Sequence, residues 1–70
     1  MLDIRGVRGS ENIKEKVENF LEEKGCKKKF KVISRTDTRY LLKTDTDKVE
    51  VNTKSNRKLI QSKVENLLCE

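Results

Sequence analysis

Apolar residues recur along this chain with two different periods, and the switch between them divides it into elements. Ile13, Val17, Phe20 and Leu21 fall at i, i+4, i+7 and i+8, which draws one apolar stripe along a helix. Ser10 followed by Glu11 predicts the helix start, because the hydroxyl can accept from an orphan amide and the carboxylate favours the positive end of the dipole. Gly25 stands where a left-handed C-cap would fall. The spacing therefore predicts a helix over about residues 11–24.

From Lys29 the period shortens to two. Phe30 and Val32 share one face and Lys29 and Lys31 the other, although Ile33 breaks strict alternation. Residues 39–44 repeat the pattern with Tyr40 and Leu42 inward and Arg39 and Lys43 outward, and residues 48–53 with Val49 and Val51 inward and Lys48 and Glu50 outward. The stretches between them, 34–38 and 44–47, are built from Ser, Thr, Asp and Arg, and the first three of these bond their own turn backbone. Three antiparallel strands in a meander follow. Ser55 or Asn56 can cap a last helix over about residues 56–68, with Ile60, Val64 and Leu67 in its stripe and Leu59 and Leu68 widening it. Ahead of everything, Leu2 and Ile4 alternate with Asp3 and Arg5, which suggests a short edge strand or an extended arm.

The predicted fold is a single α+β domain over residues 1–70 in the order α-β-β-β-α, with an extra N-terminal strand as an option. A three-stranded sheet with one apolar face needs cover, so the two helices should lie side by side on that face. Its core should hold Ile13, Val17, Phe20, Leu21, Phe30, Val32, Tyr40, Leu42, Val49, Val51, Ile60, Val64 and Leu67. The other sheet face should show Lys29, Lys31, Arg39, Lys43, Lys48 and Glu50 to water.

Composition narrows the function more than the fold. With 70 residues, 33% hydrophobic and 41% charged, the chain is too short for a two-domain enzyme and its core leaves a narrow stability margin. A homodimer interface would bury more apolar surface. Cys26 and Cys69 could form at most one disulfide and show neither a CxxC metal spacing nor the density of a secreted scaffold. Free thiols are the expectation. No basic stretch followed by a long apolar run opens the sequence, and no apolar run is long enough to cross a membrane. These readings place the chain in a reducing cytoplasm, away from membranes.

Catalysis is hard to build from this inventory. There is no histidine, so a general base at neutral pH would have to be a carboxylate, cysteine or lysine of strongly shifted pKa. Asp45 and Asp47 lack the glycine and the twelfth-position glutamate of a calcium loop, and turn chemistry accounts for them. Cys26 beside Lys27, Lys28 and Lys29 has a thiolate favoured by the positive field but no base. Gly6 to Gly9 precedes a helix without the Lys-Ser/Thr of a phosphate loop. The expectation is a protein without catalytic residues, metal or cofactor.

Charge carries the functional signal. The net charge is +5, and between Lys27 and Lys63 twelve basic residues stand against four acidic ones, a balance of +8. Lysines taken singly serve solubility. Two groups are denser than that: Lys27-Lys28-Lys29-Phe30-Lys31, and Lys54-Ser55-Asn56-Arg57-Lys58 at a predicted helix start, where amides, dipole and side chains all favour a phosphate backbone. The site expected from sequence has Lys54, Arg57 and Lys58 gripping phosphates of duplex RNA or DNA, supported by Lys27, Lys28 and Lys29 and by Arg35 or Arg39. The alternative is a small inhibitor or accessory protein, of phage or plasmid type, whose basic face docks on an acidic protein partner.

The order α-β-β-β-α with a basic start to the last helix resembles the double-stranded RNA-binding domain, whose last helix opens on a lysine-rich motif that grips phosphates across the groove. Lys54-Ser55-Asn56-Arg57-Lys58 stands where that motif would be, and the likeness runs from about Ser10 to Leu68. The same fold is used by HicA-type mRNA interferases, and Leu21-Glu22-Glu23-Lys24-Gly25 is similar to the end of their first helix. Their catalytic histidine, expected around Thr38 to Tyr40, is missing, so the resemblance implies a non-catalytic relative. The opening Leu2-Asp3-Ile4-Arg5-Gly6 is similar to that of small sulfur-carrier proteins, but Gly9 and Ser10 occupy the region of their reactive cysteine.

Overall fold

Both helices and all three strands form where the periodicity placed them, in a computed structural model that describes residues 2–69. They are α1 (Ser10–Lys24), β1 (Lys31–Ser34), β2 (Arg39–Lys43), β3 (Lys48–Asn52) and α2 (Arg57–Leu68). The sheet is antiparallel in the order β1-β2-β3.

Helix ends show where local chemistry and tertiary contact divide the work. Gly25 is the left-handed C-cap expected for α1, with its amide bonded to Glu22 O and the Cys26 amide to Leu21 O, the paired bonds of a Schellman motif. Asn56, not Ser55, caps α2, its side chain accepting from the Lys58 amide at 2.8 Å. At the start of α1 the expectation fails: Ser10 is already helical, and the capping residue is Gly9, at φ 93°, with no side-chain cap. The reason is tertiary. The Gly9 amide donates to the Tyr40 hydroxyl at 2.9 Å, which turns the chain into α1 through a backbone conformation that glycine adopts readily.

One connected core joins both helices to the inner face of the sheet. Ile13, Val17, Phe20 and Leu21 of α1 meet Tyr40, Leu42 and Val51 of the sheet and Ile60, Val64, Leu67 and Leu68 of α2. Val32 and Val49 are only partly buried, because the sheet ends at β1 and β3 and the helices do not fully cover its margins, and Phe30, also partly buried, lies with Lys29 ahead of β1 and not on it. Leu59 leaves the α2 stripe altogether and is half-exposed.

The described residues before α1 form no strand. Leu2 and Ile4 are nonetheless buried in the core, at 2% and 0% exposure. The Leu2 amide donates to Gln61 Oε1 of α2 at 3.3 Å, while Leu2 and Asp3 share a small surface hollow with Lys16, Asn19 and Phe20 of α1. The arm thus bridges the two helices, adding apolar burial that the chain's composition makes scarce.

The cysteines are not free. Cys26, just after α1, is bonded to Cys69, just after α2, with Cα atoms 5.6 Å apart and a sequence separation of 43. Both helices run antiparallel to β1 and β3, so their C-termini arrive together, and a pairing that sequence spacing did not suggest becomes geometrically natural. The case for a reducing compartment loses the support it drew from free thiols.

Two outcomes follow for stability. Reduction, or Cys26→Ser with Cys69→Ser, should destabilise the domain by about 2–4 kcal/mol, the upper value being the loop-entropy estimate for this separation; urea denaturation with and without reductant measures it, and coincident midpoints would show that the bridge contributes nothing. Ile4→Ala should cost about 2–4 kcal/mol, as for other fully buried isoleucines, whereas a frayed terminal arm would leave the midpoint unchanged.

Candidate nucleic-acid interface

Three strands between two helices give the molecule two unlike ends. At one lie the starts of both helices and the β1–β2 turn. At the other lie the helix C-termini, the β2–β3 turn and the Cys26–Cys69 bridge.

At the first end, short side chains fix the backbone that carries the cations. Thr36 Oγ1 accepts from the amides of Thr38 and Arg39, and the Arg39 carbonyl accepts from the amides of Arg35 and Thr36, which closes the β1–β2 turn. The Thr53 amide donates to Thr38 O at 2.8 Å and joins this turn to the segment entering α2. In that segment Asn52 Oδ1 accepts from the Lys54 amide at 2.8 Å, and two residues after the next turn Asn56 caps the helix. Arg35, Arg39, Lys54, Arg57 and Lys58 are thereby brought to one end of the domain. Tyr40 adds the start of α1 to it, because its hydroxyl bonds both Gly9 N and Asp37 O.

Lys27, Lys28 and Lys29 lie elsewhere. Lys28 Nζ donates to Leu67 O at 3.2 Å, at the C-terminus of α2, where a cation satisfies an orphan carbonyl and the negative end of the dipole. A helix of 12 residues is roughly 18 Å long, and this separates the lysine run from Lys54, Arg57 and Lys58. The sequence-derived set is therefore two surfaces. Lys28 has a capping role in one of them.

The first end also contains residues that sequence reasoning missed. Arg5 and Arg8 lie in the segment that leads into α1. Asp3 stands between Arg5 Nε at 3.5 Å and Arg57 Nη1 at 3.8 Å and accepts from the Arg5 amide at 3.1 Å. That amide bond, with help from the two guanidinium groups, holds the Asp3 carboxyl below its ordinary value. The contact is thus fully charged at neutral pH and fades in acid, as the pH falls through the lowered value. Only the alternation of Leu2 and Ile4 hinted that this arm was anchored, and nothing in the sequence placed it beside α2.

The electrostatics of α2 are unusual for a helix start. Its first turn has no acidic residue and instead carries Arg57 and Lys58. Each cation there opposes the helix dipole by about 0.3–1 kcal/mol. Among the described residues no three His, Cys, Asp or Glu side chains gather as a metal site, and no helix is long and apolar enough to cross a membrane.

Comparison with protein-family models, curated proteins and solved structures finds no match.

Proposed function

We propose that this domain is a non-catalytic nucleic-acid-binding module that reads the phosphate backbone of a duplex. The observation that carries the proposal is the convergence of Arg35, Arg39, Lys54, Arg57 and Lys58 at the end where both helices begin. Amides and dipoles favour anions there, and the cationic side chains disfavour the empty state. The start of α2 is the element that the resemblance to double-stranded RNA-binding domains would have touching phosphates. All three aromatic residues, Phe20, Phe30 and Tyr40, are buried or packed against the core, so base stacking on single strands has little to work with. A cytoplasmic setting goes with such a partner, and Cys26–Cys69 would then be an intracellular disulfide of the kind hyperthermophile proteins carry.

Four to six phosphate contacts should make log affinity for duplex RNA or DNA fall against log salt with a slope of roughly −4 to −5, and Lys54→Ala or Arg57→Ala should each lower that slope by about one. Asp3→Asn, which removes the built-in anion beside Arg57, should tighten binding about two- to fivefold at low salt. No binding to duplexes at low salt, or equal effects from Lys27→Ala and Lys54→Ala, would remove the proposed interface.

Lysine and arginine can stabilise phosphate charge but leave protons unmoved at neutral pH, and a positioned acid or base is worth roughly 10²–10⁴-fold. Incubation with RNA should therefore give no cleavage above background; reproducible cleavage lost on changing Lys43 or Arg39 would overturn this.

A further inference from the structure

The face of the sheet turned away from the helices is not the uniformly charged surface that alternation suggests. The register places Lys31, Lys43 and Lys48 directly beside one another across all three strands. The next outward row is Ile33, Leu41 and Glu50. Ile33 is 43% exposed, and it lies on β1, which pairs only with β2 among the described residues. Along the free side of β1 runs an open groove of about 1160 Å³ whose sheet wall includes Phe30, Lys31 and Ile33, and whose α1 wall includes Leu21 and Glu18. Like charges directly opposite in a sheet repel, and an edge strand leaves backbone donors and acceptors unpaired. Both are relieved by the same ligand.

We infer that the free edge of β1 is a docking site for an extended acidic segment of another protein, which adds as a fourth strand. In that arrangement a carboxylate of the segment lies opposite Lys31, and an apolar side chain two residues along lies opposite Ile33 and extends the Ile33–Leu41 pair. Charge decides among occupants. A second copy pairing through β1 would set one Lys27–Lys31 segment against another copy's basic strand, which is repulsive. A nucleic acid would meet the lysines but could match neither the peptide-spaced backbone groups nor Ile33. The site is separate from the helix-start end and does not depend on duplex binding there.

The test is titration of the isotope-labelled protein with a labelled peptide of about eight residues in which Glu and Val succeed one another at every second position with Thr between, so that both stand on one face, a length suited to one strand. Amide shifts should concentrate at residues 29–34, and N-methylation of alternate peptide amides should abolish binding. Lys31→Glu and Ile33→Glu, both at exposed positions where the amide spectrum also verifies folding, should each weaken binding about three- to tenfold. Lys54→Ala combined with Arg57→Ala should leave it intact. Equal binding after N-methylation, shifts gathered at Arg57 and Lys58, or no saturation by millimolar peptide would each overturn the inference; the last would mean that the edge lysines only keep other strands away.

Discussion

An odd number of antiparallel strands between two helices forces the helices to point the same way. In this domain α1 and α2 both run against β1 and β3, so their amide ends meet at one pole and their carbonyl ends at the other. The remaining features answer to that polarity. Cys26 and Cys69 can bond because both follow helix C-termini. Lys28 finds a free carbonyl at Leu67 for the same reason, and Lys24 of α1 reaches Glu65 near the end of α2 at 3.5 Å. At the opposite pole Tyr40 links the β1–β2 turn to the entry of α1 through one hydroxyl. Parallel dipoles do not cancel, so the domain carries a fixed electrostatic axis before any side chain is considered.

At the amide pole the two helices differ: Glu11 opposes the field in the first turn of α1, whereas cations reinforce it in the first turn of α2. Lys24 and Lys28 compensate C-termini in the ordinary way. Arg57 and Lys58 do the reverse at the start of α2, where the Asp3 carboxylate pairs with Arg57 at 3.8 Å. A small domain with a narrow stability margin gains nothing for folding from that arrangement. Departures from the locally favourable choice are expected where function sets the residue. The same holds for Lys31, Lys43 and Lys48 in register on the sheet, with the difference that an exposed edge gives lysine a protective use as well.

The periodic parts of the fold were legible because each answers to a local rule. Ile13, Val17, Phe20 and Leu21 mark a helix at any position in space, Gly25 ends it by its own conformation, and Asn56 caps α2 through its own amide oxygen. What escaped depends on contacts between distant segments. The Ser10 cap gave way to Gly9 because Tyr40, 31 residues away, holds the Gly9 amide. Leu2 and Ile4 give two apolar positions, too few to fix a period, yet both are fully packed once α1 and α2 offer a place between them. Val32 and Val49 have the right alternation but lie on marginal strands, Phe30 falls just ahead of β1, and alternation does not say which strand is an edge. The basic residues were found individually, while their division between two ends of α2 required the fold.

That division also explains how one small domain would offer the two proposed surfaces without conflict. The loop from Cys26 to Lys28 is pinned to the end of α2 by a covalent bond and by the Lys28 hydrogen bond, so the chain enters β1 from a fixed point. The segment from Asn52 to Asn56 is held equally well at the other end by side-chain acceptors. In both places the ordering of backbone is completed during folding and need not be repeated on binding, which is where much of the free energy of association is ordinarily lost. The residues that would face a ligand are then the exposed cations, whose backbone is fixed. Under the proposed function such a surface would fit a repeating array of negative charge and discriminate poorly among individual bases, so its selectivity would come from the spacing of its anchored segments.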